Sequence, residues 1–357
     1  MNRPNNGMDR RDFLKMIGAG TALASIPGAI RAADADGRGE PGTLIVPQAK
    51  GLPITGTFLD EISHDIPHQN WGAKEWDADF AHMKAIGIDT VIMIRCGHRK
   101  FITYPSEYLM KTRGCYRPSV DLMDLFLRLA EKHGMAFYFG LYDPHADFPT
   151  YAEVNMAVVE EVWKMYGTYP AFKGWYVSSE LSRKKPGCIE SIARMGRQCK
   201  DVSGGLTTFI SPYIDGTKAV EAFKGILDKA GGVSADQHER EWSEIMDGIR
   251  GTIDVCAFQD GHVDYSELPE FLEVNKRLCA KYGMRCWTNV ESFDRDMPIK
   301  YLPIKFDKLR LKLEGAAAAG LEKAITFEFS HFMSPQSVYS AAGNLYNRYR
   351  EYFGLRG

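Results

Sequence analysis

Two glutamates follow apolar, β-rich segments of the chain and could act as a catalytic pair. Glu180 comes just after segment 172–178, and Glu291 comes directly after segment 284–290. A carboxylic acid that protonates a leaving oxygen and an ionised carboxylate that attacks an anomeric carbon suffice for retaining glycoside hydrolysis. Retention requires the two carboxyl groups to lie about 5–5.5 Å apart. The pair therefore predicts this chemistry if the fold brings both segments to one cleft.

Further polar and aromatic residues lie in or just beyond similar apolar segments. Flat aromatic faces with polar edges suit sugar rings, and hydrogen-bonding side chains suit their hydroxyl groups. We expect these residues to bind substrate: Arg95, Asp143, Trp175, Tyr213, Gln259, Asp260, Trp287 and Glu328. Arg95 ends an apolar segment, where a charge is costly unless it is paired. We expect Glu291 to be its partner, which would hold that carboxylate ionised.

The elements that carry these residues are short apolar segments that alternate with longer stretches of helical periodicity, which is typical of βα units. Eight such segments are found, at 54–59, 90–95, 135–141, 172–178, 206–211, 253–259, 284–290 and 323–329. The pattern predicts an α/β fold, a single (β/α)₈ TIM barrel, with the site at the carboxyl ends of the strands. The fourth and seventh strands would place Glu180 and Glu291 across its mouth. The first segment leads into Asp60 and Glu61 rather than a glycine-rich phosphate loop, which argues against a doubly wound sheet.

The N-terminus is similar to an export signal. Arg10-Arg11 and the Phe-Leu that follows resemble the twin-arginine motif, and a mildly apolar stretch leads to Ala33-Asp34-Ala35. We expect residues 1–35 to be a signal peptide, residues 36–53 to be a Gly- and Pro-rich linker, and residues 54–357 to be the catalytic barrel. The apolar stretch is too short for a stable membrane span. These features predict a periplasmic or extracellular protein.

Composition narrows the classes of partner. The 357-residue chain has 44 Lys and Arg against 46 Asp and Glu, so its net charge of −2 gives no reason to expect a nucleic acid partner. Its seven cysteines show no CxxC spacing, and we expect them to be core residues rather than a disulfide framework. A carbohydrate is the expected partner.

Two resemblances extend these expectations. Glu180, Glu291 and Arg95 resemble the pattern of the large retaining glycoside hydrolase clan of TIM barrels. That resemblance implies that Glu180 is the acid/base, Glu291 the nucleophile and Arg95 its support. The clan usually has Asn before the acid/base, where this chain has Ser179.

The second resemblance covers most of the chain. Segments 54–58, 174–180, 258–261 and 287–293 look like bacterial secreted, glycosidase-like TIM barrels of poorly assigned function. It implies that Gln259 and Asp260 belong to the site.

Two other functions fit the same residues. In a metal-dependent sugar isomerase or epimerase, Mn²⁺ or Mg²⁺ would be held by oxygen ligands with one histidine. The candidates are Glu180, Asp260, Glu291 and Glu328, with His262 or His331. A hydrolase of the expected kind needs no cofactor. A barrel that binds carbohydrate without catalysis is the other alternative.

Two smaller motifs lie near the expected cleft. His64 and His68 are four residues apart, but Pro67 between them argues against a helical metal pair and favours a cleft-lining loop. The basic cluster 183–185 is expected at the rim, where it could serve an anionic sugar.

Overall fold

The computed structural model describes residues 50–63, 66–178, 180–216, 218, 232–295 and 301–355. Eight parallel strands form a closed barrel in sequential order, with the last strand paired to the first. They are β1 Ile54–Leu59, β2 Thr90–Met93, β3 Ala136–Gly140, β4 Phe172–Tyr176, β5 Thr207–Ile210, β6 Val255–Gln259, β7 Arg285–Asn289 and β8 Lys323–Thr326. The predicted TIM barrel is confirmed, and each strand lies within its predicted segment.

Helices connect the strands. Within the described residues they are α1 Ala73–Ala85, α2 Glu107–Arg113, α3 Leu122–His133, α4 Phe148–Tyr166, α5 Cys188–Ser203, α6 Ala235–Ile249, α7 Leu268–Tyr282, α8 Phe306–Ala318, α9 Phe329–Phe332 and α10 Ser340–Phe353. Gly134 and Gly283 follow α3 and α7 with φ of 64° and 72°, the left-handed conformation that ends a helix at low cost to glycine.

The apolar side chains form two layers on either side of the sheet. Inside the barrel, alternate residues of the strands pack around Phe58, Tyr176 and Phe209. Outside, the other strand residues pack against the helices in a much larger cluster. A parallel barrel therefore buries both faces of its strands, which explains why the segments read as continuous apolar runs.

The structure also shows the state of the cysteines and the length of the described helices. All seven cysteines are free, and six of them are buried, as expected for core residues. No described helix has both the length and the apolar character needed to cross a membrane. The predicted signal peptide, most of the linker, His64 and Ser179 lie outside the described residues.

Two short antiparallel ribbons rise beyond the carboxyl ends of the barrel strands. Gly97–His98 pairs with Phe101–Ile102 after β2, and Phe293–Asp294 pairs with Leu302–Pro303 after β7. They extend the βα loops on the face where TIM barrels place their sites.

Candidate active site

Three adjoining pockets lie at the carboxyl ends of the strands. The central pocket, of about 110 Å³, is lined by Ser63, Ile66, Arg95, Glu180, Tyr213, Gln259, Phe293, Arg295, Tyr301 and Phe327. The β3 pocket, of about 440 Å³, is lined by Arg95, Asp143, His145, Ala146, Phe148, Tyr151, Ser178, Glu180 and Lys185. The β1 pocket, of about 120 Å³, is lined by Asp60, Glu61, Ile62, Ser63, Ile66, Pro67, His68 and Phe101.

The residues that the pockets share give their order. Arg95 and Glu180 line both the central pocket and the β3 pocket, whereas Ser63 and Ile66 line both the central pocket and the β1 pocket. The central pocket therefore lies between the other two, with Glu180 on one of its boundaries.

Glu180 lies beyond the end of β4 and is open to solvent, with its side chain 37% exposed. Its Oε1 lies 3.5 Å from Nη2 of Arg95, and Nη1 of Arg95 lies 3.3 Å from Oδ2 of Asp143. Burial alone would lower the pKa of Arg95, but the nearby carboxylates of Glu180, Asp60 and Asp143 raise it. Arg95 is therefore a permanent cation at this boundary. The expectation that it pairs with Glu291 is corrected, because its ion-pair partners are Glu180 and Asp143.

Glu291, just beyond β7, is in a closed environment. Its side chain is 1% exposed, and Arg295 grips it with Nε 2.7 Å from Oε2 and Nη2 2.8 Å from Oε1. Burial would raise the pKa of Glu291, but the Arg295 guanidinium outweighs burial and lowers it. The carboxylate is therefore held ionised. Arg295, rather than Glu291, lines the central pocket.

A buried ion pair supports Glu291 from behind. Asp260 Oδ1 accepts a hydrogen bond from the Glu291 backbone N–H at 3.1 Å and lies 2.8 Å from Nζ of Lys312. Nζ of Lys312 also donates to the Glu291 carbonyl at 3.3 Å. Asp260 therefore fixes the backbone that presents Glu291, and it does not line any of the three pockets.

Gln259 and Tyr213, which are predicted to bind substrate, line the central pocket. Nε2 of Gln259 donates to the Ser211 carbonyl at 2.6 Å, which fixes the amide. The Tyr213 ring stacks on His262 with centroids 5.1 Å apart. The Arg295 guanidinium lies 5.7 Å from the centre of the Tyr213 ring. These contacts make one wall of the pocket rigid and partly aromatic.

Like Asp260, three other predicted substrate contacts lie away from the three pockets. Trp175 is fully buried outside the barrel, where its Nε1 donates to Ser203 Oγ at 3.1 Å. Trp287 is buried inside the barrel, beside Lys323 at the start of β8. Glu328 is fully buried and accepts hydrogen bonds from the backbone N–H groups of Ser330 and His331. The two tryptophans therefore pack in the core, and Glu328 holds the local backbone.

The central pocket also contains Arg295, Tyr301 and Ser63, which are not among the predicted site residues. Arg295 comes four residues after Glu291, a spacing that places a cation near a carboxylate when the chain turns back on itself. This spacing is therefore a sequence signal for the Arg295–Glu291 ion pair. Tyr301 and Ser63 come from loops, and their place in the pocket follows from how those loops fold over the barrel.

Among the described residues, no three of the predicted metal ligands lie close enough together to hold an ion. Asp260 pairs with Lys312, Glu291 with Arg295, and Glu328 with His331. A different group, His98, Asp143 and His145, has ligand atoms within 4.8 Å of one another. Imidazole and carboxylate suit Zn²⁺ or Mn²⁺, but Asp143 already contacts Arg95 and accepts from the His145 backbone N–H at 2.7 Å. A cation at that carboxylate would compete with the Arg95 guanidinium, so the group fits a metal poorly.

Lys185 of the basic cluster and His68 of the histidine motif line the two outer pockets. Arg183 and Lys184 pair with Glu241 and Glu244 on α6, while Lys185 lines the β3 pocket. His68 is exposed, with its Nε2 3.3 Å from Oε2 of Glu61.

The chain matches one protein family and is similar to several solved structures. A family described as "Domain of unknown function (DUF4434)" matches residues 54–339. A crystal structure from Bacteroides thetaiotaomicron, named "putative alpha-L-fucosidase", is 64% identical over 88% of this chain and 99% of that chain, with a TM-score of 0.84. No curated protein matches significantly.

More distant structures share the fold. A β-galactosidase from Halorubrum lacusprofundi is 12% identical over 85% of this chain and 58% of its own, with a TM-score of 0.55. An exo-β-1,4-mannosidase from an Opitutaceae bacterium is 16% identical over 84% of this chain and 59% of its own, with a TM-score of 0.50. The match over most of its barrel shows that the chain belongs to the DUF4434 family.

Proposed function

We propose that the protein is a glycoside hydrolase that acts with retention of configuration. The observation that carries this proposal is the position of Glu180, which lines both the central and the β3 pocket. A sugar chain bound across both pockets passes its scissile oxygen beside this carboxyl group. A general acid must meet the leaving oxygen at such a boundary.

In the first step, Glu180 donates its proton to the glycosidic oxygen while Glu291 attacks the anomeric carbon. The bond to the leaving oxygen breaks as the bond to Glu291 forms. Water then attacks the glycosyl-enzyme, Glu180 takes its proton, and Glu291 leaves as a carboxylate. The Arg295 ion pair supplies the ionised form of Glu291 that this step needs. Because Arg295 lines the central pocket in this structure, bound sugar must shift its side chain to expose Glu291.

The substrate class rests on the relative at 64% identity, which is named as an α-L-fucosidase of putative status. α-L-Fucosides are therefore the first substrates to test. No metal enters the proposed mechanism.

The test uses 4-nitrophenyl glycosides, beginning with the α-L-fucoside, and the variants Glu180→Ala and Glu291→Ala with added azide. Azide replaces water in the second step for Glu180→Ala and gives a glycosyl azide of retained configuration. It replaces the nucleophile in Glu291→Ala and gives the inverted azide. Azide products with the opposite assignment, or full activity in either variant, would overturn the two roles.

A second candidate is carbohydrate binding without turnover. It is favoured by the closed Arg295–Glu291 ion pair, which keeps the proposed nucleophile, Glu291, off the wall of the central pocket. Sugar binding by the wild-type protein, measured by calorimetry, with no release of nitrophenol from any glycoside would support it over hydrolysis.

We also propose that the chain is exported by the twin-arginine route. Replacing Arg10 and Arg11 with lysine should keep the protein in the cytoplasm. Cell fractionation measures how much protein is exported. Export of that variant at the wild-type level would contradict the proposal.

A further inference from the structure

Two carboxylate oxygens at the β1 pocket are buried and unused. Asp60 is fully buried and lies directly after β1, and the Glu61 side chain is 4% exposed. Asp60 Oδ2 and Glu61 Oε1 have no hydrogen-bond partner among the described residues. Leaving a buried polar atom without a partner is unfavourable, so such atoms usually mark a place that a ligand or water fills.

The other oxygens of the two side chains are already committed. Asp60 Oδ1 accepts the backbone N–H groups of Ile62 and Ser63 at 3.0 and 2.9 Å, which ties the start of the loop. Glu61 Oε2 lies 3.3 Å from Nε2 of His68. Each side chain is thus held by one oxygen and offers the other, so the pocket presents two polar carboxyl oxygens from fixed positions.

The pocket can take a small ring. Its volume of about 120 Å³ is several times the roughly 10–15 Å³ that one water occupies. Ile62, Ile66, Pro67 and Phe101 supply apolar surface beside the two carboxyl groups. Burial raises the pKa of Glu61 to about 7, so its charge near neutral pH is modest. A ligand with hydroxyl donors on one edge and an apolar face suits this lining better than an isolated cation.

We infer that the β1 pocket is a second sugar subsite, which binds hydroxyl groups of the ring next to the one held in the central pocket. Glu180 lies on the opposite boundary, towards the β3 pocket. If the proposed function holds, the leaving group occupies the β3 pocket, and the ring in the β1 pocket belongs to the glycone side. The protein therefore favours substrates with at least two sugars before the cleaved bond. This inference rests on the proposed function for its numbering of the subsites and not for the binding itself.

The variant Asp60→Asn tests the unpaired Oδ2 atom of Asp60. Asn can keep Oδ1 as the acceptor for both backbone N–H groups while its Nδ2 turns the unpaired acceptor into a donor. Glu61→Gln makes the same change at the second carboxyl. Asp89→Asn is the matched control, because it removes a carboxylate next to Lys323 at the opposite end of the barrel.

The kinetic test compares the 4-nitrophenyl monoglycoside that the wild-type protein hydrolyses with the 4-nitrophenyl disaccharide that ends in the same sugar. We expect kcat/KM to be about tenfold or more higher for the disaccharide. Asp60→Asn and Glu61→Gln should bring the ratio close to one, whereas Asp89→Asn should keep the wild-type ratio. An unchanged ratio in both variants would overturn the subsite.

Direct binding separates this inference from the proposed function. Saturation-transfer NMR of the wild-type protein with lactose, xylobiose and mannobiose, each against its monosaccharide, needs no turnover. Signals from the non-reducing ring that disappear in Asp60→Asn would support the subsite even if no glycoside is hydrolysed. Hydrolysis of monoglycosides without such signals would uphold the function and overturn the subsite. Preferential binding of glucosamine, lost in Asp60→Asn, would reassign the pocket to cationic amines.

Discussion

The carboxyl ends of β4 and β7 present the same residue type in opposite settings. Glu180 is 37% exposed and lies 3.5 Å from a guanidinium that it shares with Asp143. Glu291 is 1% exposed and is held by both nitrogens of its own arginine, Arg295. The first can exchange protons with solvent and ligand, whereas the second is fixed as an anion. Two glutamates at equivalent places in a barrel therefore have different environments, which would suit them to the different roles that we propose.

The supporting structure differs as well. Behind Glu291 stands the buried pair of Asp260 and Lys312, with side chains 1% and 5% exposed. Glu180 instead lines the walls of two pockets. Rigidity at β7 and access at β4 are what a nucleophile and an acid/base respectively require. Each of the following changes tests one side of this contrast.

Glu291→Gln should have the largest effect on activity. Without an ionised nucleophile, kcat should fall by at least about 10⁴-fold on any glycoside that the wild-type protein cleaves. Stopped assays for nitrophenol release give the rate, and circular dichroism shows whether the fold is kept. A folded variant with more than a tenth of wild-type activity would remove Glu291 from the mechanism.

Glu180→Gln should lower kcat by about 10²–10⁴-fold for substrates with poor leaving groups. The loss should shrink with a 2,4-dinitrophenyl leaving group, which departs without protonation. Since Glu180 is exposed, urea unfolding should match the wild-type protein. Equal losses for good and poor leaving groups would contradict an acid role.

Lys312→Met should destabilise the protein, because Asp260 is left buried without its cation. Breaking such a pair costs roughly 3–5 kcal/mol in the free energy of unfolding, measured with urea. Arg128→Met is the matched control, since it breaks an exposed pair with Asp124 on α3 and should cost under about 0.5 kcal/mol. Equal stability of the two variants would show that the support behind Glu291 is weak.

The lowered pKa of Glu291 predicts how stability depends on pH. Since the folded-state pKa lies below the ordinary 4.5, its stabilisation is complete above 4.5 and is lost as pH falls through the folded value. The difference in unfolding free energy between wild type and Glu291→Gln should therefore be larger at about pH 6 than at about pH 3. A difference that is the same at both pH values would argue that Arg295 does not stabilise the charged form.

Removal of metals should have the smallest effect. Dialysis against EDTA should leave kcat/KM within about twofold of its original value, because neither glutamate needs an ion in the proposed mechanism. Restoration of a lost activity by Mn²⁺ or Zn²⁺ would favour the group at His98, Asp143 and His145 instead.

The strand order and the placement of Glu180, Gln259 and Tyr213 at one mouth could be predicted because they depend on chain direction. In a parallel barrel every strand ends on the same face, so a polar residue after an apolar run lies near that face. The partner of Arg95 could not be predicted in this way. Asp143, Glu180 and Glu291 all follow strands, and their distances depend on loop paths.

The two tryptophans show a second limit. Trp175 and Trp287 are both buried strand residues, but one faces the helices and the other fills the barrel. Alternation along a strand reveals its faces only when one face is polar. When both faces are apolar, the sequence does not show towards which face each ring points.

By itself, the sequence determined the barrel, its eight strands and the glutamates at two strand ends, because apolar periodicity and chain direction are local properties. Only the tertiary structure decided which cation each glutamate meets, that Arg295 covers Glu291, and that Asp60 and Glu61 each keep an unused oxygen at a pocket. These facts depend on ångström-scale distances that the loop paths set, including the turn that brings Arg295 back onto Glu291. Since Coulomb and hydrogen-bond energies change steeply over such distances, packing rather than residue type sets the chemistry.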